Sequence, residues 1–82
     1  MSKTAIITGG NKGIGLAVAK DLISKNYKVI IGCRDNVKGK VAEEYLGNNA
    51  HFLELDLSKP ASVLQFVKQI NNNFSEIDVL YN

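Results

Sequence analysis

The chain has 82 residues, 45% of them hydrophobic and 22% charged, and a formal net charge of +2. That is one small domain, too weakly basic, and too free of Lys/Arg runs, to be built for nucleic acid. Its single cysteine, Cys33, excludes an internal disulfide framework; no apolar run approaches the ~20 residues of a membrane span, and the start MSKTAIITGG lacks the apolar core and cleavage site of a signal peptide, so a soluble, cytoplasmic protein is expected.

Thr4 to Thr8 (TAIIT) is apolar and β-branched and stops at a glycine pair, which predicts a buried strand. A helical pattern starts at Ile14: Ile14, Val18 and Leu22 share one face, while Lys20, Asp21 and Lys25 fall outside it. Asn26 suits the left-handed end of that helix. Tyr27 to Cys33 (YKVIIGC) predicts a second strand, apolar throughout as if covered on both faces. In DNVKGKVAEEYLGNN, Val37, Val41 and Tyr45 recur every four residues and Gly47 supplies a stop. Gly39 weakens this second helix by up to about 1 kcal/mol relative to alanine.

Ala50 to Leu57 (AHFLELDL) predicts the third strand. Ser58 is the expected N-cap of a third helix, with Pro60 in its tolerated first turn. Val63, Phe66, Val67 and Ile70 form its apolar stripe. NNNFSE predicts a loop, and Ile77 to Asn82 (IDVLYN) a fourth strand. The order β-α-β-α-β-α-β, with near-continuous apolar strands, predicts an α/β fold: one parallel sheet with helices on both faces and right-handed crossovers. No repeat, low-complexity segment or linker interrupts residues 1–82.

The glycines carry the chemistry. Four of the chain's seven lie in AIITGGNKGIG, between the first strand and the first helix. Parallel strands bring their C-terminal ends to one edge, and the helix that starts there points unpaired N–H groups and its positive dipole end at that edge. An anion can settle on it only if no side chain intervenes. The spacing Gly9-x-x-x-Gly13-x-Gly15 differs from the commoner G-x-G-x-x-G, but the logic is shared. Gly9 permits the turn, Gly13 lets a pyrophosphate approach, and Gly15 lets the helix pack against the sheet. The competing reading is a glycine-rich turn that binds nothing. A phosphate-binding P-loop is excluded, because no Gly-Lys-Ser/Thr follows.

TGGNKGIG resembles the T-G-x-x-x-G-x-G motif of the short-chain dehydrogenase/reductase family, and TGGNKGIGLAVAKDL is most similar to that family's NADPH-dependent carbonyl reductases. The likeness continues through CRD, through LDL at Leu55 to Leu57, and through IDVLYN, similar to the family's D-V-L-V-N-N-A-G. It covers the whole chain. It implies a Rossmann-type doubly wound sheet, of which residues 1–82 are the N-terminal, adenine-side half. It also implies a nicotinamide dinucleotide held by Thr8, Gly9, Asn11, Lys12, Gly13, Ile14 and Gly15 in the first turn. Asp56 would meet the adenine amino group and Leu57 the ring through its backbone. Asn82 matches the first Asn of N-N-A-G.

Cofactor choice is expected just past the second strand, where an acid meets the ribose 2′-hydroxyl of NAD and an arginine accommodates the 2′-phosphate of NADP. Here Cys33 ends the strand and Arg34 follows; a guanidinium grips a phosphate with two hydrogen bonds. Lys12 and Lys38 add positive charge, and Asn11 a donor. These residues favour NADPH. Asp35 is the complication: a register slip of two would put it in the NAD-selecting place. Plainer readings stand beside these, with Arg34 and Lys38 as solvated cations and Asp56 as a helix-start aspartate near Ser58.

Cys33 reads as a small buried strand-end residue rather than a reactive thiol, and His51, without a partner in sequence, as a solvent-facing strand start. Tyr27, Tyr45 and Tyr81 read as core or half-buried. No pair of His or Cys suggests a metal. In the family a tyrosine protonates the substrate oxygen and a lysine four residues later lowers its pKa. A phenol with a pKa near 10 needs that help. Here Ile31 follows Tyr27 at that distance and Asn49 follows Tyr45, so these 82 residues hold no such pair and no catalytic residue is assigned. The expectation is the cofactor-binding portion of a longer reductase of small carbonyl compounds. The alternatives are a non-catalytic nucleotide-binding or interaction piece, or a retinol-type dehydrogenase of the same family. Oligomeric state has no signal in the sequence.

Overall fold

The computed structural model describes residues 3–9, 13–74 and 76–81. Its elements alternate as expected: β1 (Lys3–Thr8), α1 (Gly13–Ser24), β2 (Tyr27–Cys33), α2 (Asn36–Leu46), β3 (Ala50–Glu54), α3 (Pro60–Asn73) and β4 (Val79–Tyr81). The strands form one parallel sheet in the order β3-β2-β1-β4. β1 pairs with β2 from Lys3 opposite Tyr27 to Thr8 opposite Gly32, and with β4 from Ala5 opposite Val79 to Ile7 opposite Tyr81. The chain winds outward through β2 and β3, then returns to the other side of β1. That reversal is the doubly wound, Rossmann-type arrangement.

Alternate side chains of a strand face opposite ways, which divides the core in two. On one face Ile7, Val29 and Ile31 pack with Ala19 of α1 and Ala42 of α2. On the other Ile6 and Ile30 pack with Leu55 and with Phe66 and Ile70 of α3. Because both faces are covered, β1 and β2 read as unbroken apolar runs. Asn26 closes α1 with φ at 70°, the left-handed end its sequence position predicts.

Two contacts hold the margins of the sheet. The Asp78 N–H donates to the Thr4 carbonyl at 2.8 Å, and Asp78 Oδ2 accepts from the Thr4 N–H at 2.9 Å, so the approach to β4 is clasped to β1. On the other margin, Glu43 Oε2 of α2 accepts from the Phe52 N–H at 2.7 Å. This occupies an outward-facing donor of the edge strand β3.

Several expectations are corrected. Val37, Val41 and Tyr45 are exposed, Val37 by 74%, and α2 instead turns Gly39 and Ala42 to the sheet. A four-residue spacing defines a stripe on a helix but not the side it faces. Here the side is set by Phe52, whose ring fills the space a β-carbon at Gly39 would need. Tyr45 packs sideways instead, its hydroxyl accepting from Lys20 Nζ at 3.3 Å. Ile14 leaves the expected face of α1 and is 74% exposed, and Val67 of the α3 stripe is exposed as well. His51 is half-buried, its ring edge-on to Phe74 at 5.6 Å between centroids.

β3 ends at Glu54, short of Leu57, because the Asp56 carboxylate accepts from the Ser58 N–H and turns the chain. Ser58 is therefore not the N-cap of α3; Lys59 occupies that position without a side-chain cap bond, and Pro60 opens the helix as predicted. α3 runs through Asn73, taking the start of the expected loop. β4 spans Val79–Tyr81, less than the expected strand, whose last residue, Asn82, lies outside the described residues.

Candidate functional site

The C-terminal ends of β1, β2 and β3 lie side by side, and backbone rungs continue past them. The Gly9 N–H donates to the Gly32 carbonyl at 2.7 Å, and the Leu55 N–H to the Cys33 carbonyl at 2.9 Å. These rungs build one groove of about 450 Å³. Thr8 and Gly9 border it from the first strand, Gly32, Cys33 and Arg34 from the second, and Leu55 to Ser58 from the turn after the third. The volume falls within the range of about 300–1,000 Å³ usual for small-molecule sites. Thr8 Oγ1 also donates across to the Tyr81 carbonyl at 3.4 Å, which ties β1 to β4 at the point where strand order reverses. That reversal is where open α/β sheets take their ligands. A larger groove of about 540 Å³ runs along the outer edge of β3. It lies away from the glycine turn, so size alone does not identify the site.

Gly9 has φ at 72° and Gly13 φ at 58°. Both lie in the left-handed region, which costs an L-residue about 1–2 kcal/mol. No described residue lies within 4 Å of where a β-carbon would stand on either. Among the described residues, the bare backbone therefore relieves no internal clash. Gly15 is buried in α1. Ile14 projects outward beside the turn. Asn11 and Lys12 lie outside the described residues.

Around the groove, Cys33 is 9% exposed, and burial pushes its thiol pKa up. It is the small buried strand-end residue the sequence suggests, not an activated nucleophile. Arg34 is exposed at the rim. Asp35 is the N-cap of α2: its Oδ1 accepts from the Lys38 N–H at 3.0 Å. That bond, more than the nearby Lys38 and Arg34 charges, holds its carboxyl below the usual carboxylate range. Lys38 is exposed in the first turn of α2, and its backbone N–H is the donor that the Asp35 carboxylate caps.

Asp56 Oδ1 accepts twice, from Ser58 Oγ at 2.6 Å and from the Ser58 N–H at 3.0 Å. The Ser58 hydroxyl is the first cause of its lowered pKa, with smaller help from Lys59 and Arg34. The Asp56 N–H donates in turn to Ser62 Oγ at 2.9 Å. Leu57 beside it is 73% exposed. Sequence reading missed Gly32 and Ser58 as parts of this groove, and Ser62 as the support of the Asp56 backbone outside it. A β-carbon at Gly32 would stand 3.0 Å from Leu55 Cδ2 and 3.1 Å from Phe66 Cε1, contacts between distant residues. For Ser58, the spacing Asp-x-Ser was the available signal, since an Asp side chain commonly accepts from the N–H two residues on.

The described glycines beside the start of α1, Arg34 and the Asp56 carboxylate thus offer an open backbone, a cation and an acceptor around one groove. Comparison with known proteins gives the family. Residues 3–82 match the short chain dehydrogenase family. The chain is 38% identical to the salutaridine reductase of Papaver somniferum over 85 residues, covering 98% of this chain and 27% of that protein. Among solved structures, the menthone neomenthol reductase of Mentha piperita superimposes with a TM-score of 0.91 at 36% identity, over 98% of this chain and 30% of that one. The 3-ketoacyl-(acyl-carrier-protein) reductase of Brucella melitensis, complexed with NADH, gives 0.87 at 32% identity, over 95% and 32%. The chain thus spans about a third or less of the proteins it matches.

Proposed function

The chain belongs to the short-chain dehydrogenase family, and from that premise we propose that the whole protein is an NADPH-dependent reductase of carbonyl compounds whose dinucleotide is held on its adenosine side by these residues. Gly9, Gly13 and Gly15, with Thr8, Ile14, Asn11 and Lys12, form the seat for the diphosphate. Asp56 and the Leu57 backbone take the adenine. Arg34 takes the 2′-phosphate, helped by Lys38, and Asn82 supports the sheet beside the cofactor. A bound reduced nicotinamide supplies a hydride. What these residues supply is grip and orientation; proton donation to the carbonyl oxygen is assigned to residues outside these 82.

One observation carries the choice of NADPH. Arg34 stands exposed at the groove rim, while the carboxylate that would select NAD, that of Asp35, is engaged in capping α2. An N-cap aspartate sits in a favourable helix-end field and satisfies an otherwise unpaired N–H. Turning it toward a ribose hydroxyl would forfeit both. Arg34 has no such engagement among the hydrogen bonds of the described residues, and a bidentate guanidinium–phosphate pair is the stronger contact on offer.

The test is titration of the full-length protein with NADPH and NADH, before and after Arg34→Ala. The reading expects NADPH to bind at least about tenfold tighter in the parent, as befits a charge-assisted contact, and the preference to collapse in the variant. Equal affinities in both proteins would remove Arg34 from this role. Turnover of ketone and aldehyde substrates with NADPH tests the reductase reading itself.

A further inference from the structure

Asp56 borders two grooves at once: the one at the glycine turn, and the larger one along β3. A carboxylate between two openings can serve either, and its neighbours pull in different directions. Lys59 lines only the β3 groove, Arg34 only the glycine-side groove, and both charges act on Asp56. What fixes the carboxylate is Ser58, which also lines only the glycine-side groove. Its hydroxyl and its N–H both fall on Oδ1, at 2.6 and 3.0 Å. Two donors on one oxygen define the carboxylate plane and leave Oδ2 as the acceptor for an incoming donor. A bond this short to an ionised oxygen is of the strong, charge-assisted kind.

We propose that Ser58 is a positioning residue for base recognition: by holding Oδ1 it presents Oδ2 of Asp56 to the exocyclic amine of adenine, and so makes the site prefer adenine over a base that lacks the amine. This rests on the dinucleotide reading above. The chemistry is specific. Among the described residues Asp56 is the only carboxylate lining that groove, and an ionised carboxylate can only accept. An amine satisfies it, and a carbonyl at the same ring position is repelled by it. Ser62 plays a different part: it holds the Asp56 backbone from the first turn of α3 and does not touch the carboxylate.

The test compares binding of NADPH with that of its deamino analogue, in which hypoxanthine replaces adenine, to the full-length protein. The parent is expected to favour NADPH by about tenfold or more, the low end for a hydrogen bond to a charged group. Ser58→Ala should bring the ratio below about threefold, by weakening NADPH and leaving the analogue unchanged. Ser58→Thr, which keeps the hydroxyl, should retain the ratio. Ser62→Ala should lower the melting temperature yet leave the ratio intact, which separates positioning from stability. A parent-like ratio in Ser58→Ala, or its loss in Ser58→Thr, would overturn the inference. A parent that binds NADPH tightly without preferring adenine would overturn it together with the role of Asp56, while Arg34 kept its own. A parent that binds neither nucleotide would overturn the dinucleotide reading and this one with it.

Discussion

Gly13→Ala separates what the backbone demands from what a ligand demands, provided it is compared with Gly47→Ala. Gly13 has φ at 58° and Gly47, which ends α2, φ at 94°. At neither does any described residue lie within 4 Å of the missing β-carbon. At Gly13 an alanine held in the left-handed region costs about 1–2 kcal/mol, roughly 2–8 °C in Tm for a domain of ordinary size. At Gly47, where ψ is −161°, the backbone lies in a region essentially closed to all but glycine, so Gly47→Ala should lose more. Their positions differ. Gly47 precedes β3, its carbonyl accepting from the Ala50 N–H, on the sheet edge opposite the groove. Gly13 opens α1, where a methyl group would stand between the helix end and a diphosphate. With the full-length protein, NADPH titration should find Gly47→Ala within about twofold of the parent and Gly13→Ala weaker by at least about tenfold, or about 1.4 kcal/mol. Thermal melts should find Gly47→Ala the less stable of the two, so affinity and stability move in opposite order. Matched affinities would refute the claim that the glycine at the helix start serves a ligand.

Gly39→Ala gains up to about 1 kcal/mol of helix propensity but drives a methyl group into the Phe52 ring; overpacking of about 1–3 kcal/mol should win, giving net destabilisation in urea unfolding that Phe52→Leu relieves in the double variant. Asp78→Ala leaves the buried Thr4 N–H without its carboxylate partner and should cost about 1–2 kcal/mol, with Asp78→Asn milder and hydrogen exchange at the Thr4 amide accelerated. The Asp35 carboxyl is held low by the Lys38 N–H; a depressed folded pKa contributes stability that is fully present above the ordinary carboxylate value near 3.9 and is lost as pH falls through the folded value. Asp35→Ser keeps a capping acceptor that cannot titrate, so its Tm should decline less steeply than the parent's between about pH 5 and pH 2.

Whatever depended on runs of apolar residues was legible in the sequence. β2 ends where YKVIIGC ends, and both faces of the sheet are covered, as an unbroken apolar strand requires. Whatever depended on which neighbour arrives first was not. Val37, Val41 and Tyr45 satisfy helical periodicity as well as any buried stripe does, yet Gly39 and Ala42 are the buried residues of α2, and the Phe52 ring, from another element, fills the space a side chain at Gly39 would need. β3 stops early for a local reason, since the Asp56–Ser58 turn outcompetes further pairing once Leu55 has made the last rung to Cys33. Such side-chain turns compete with ladders residue by residue, and a strand-forming composition alone does not reveal them.

Asp35 shows the same limit inside the candidate site. In sequence, an acid directly after an arginine is ambiguous, because a register slip of two would put Asp35 in the NAD-selecting place. In the structure the last partners of β2 and β3 are Cys33 and Glu54, so the strand ends before Arg34. Asp35 then has extended backbone, φ −93° and ψ 107°, at the N-cap of α2. An aspartate there has a task independent of any ligand, closing the first turn of a helix. Among the described residues Arg34 makes no such hydrogen bond, and it lies exposed on a groove that the Ser58-held carboxylate also lines. The order Arg-Asp thus divides the work between two neighbours: the acid holds the helix, and the base is free to meet whatever anion the groove admits.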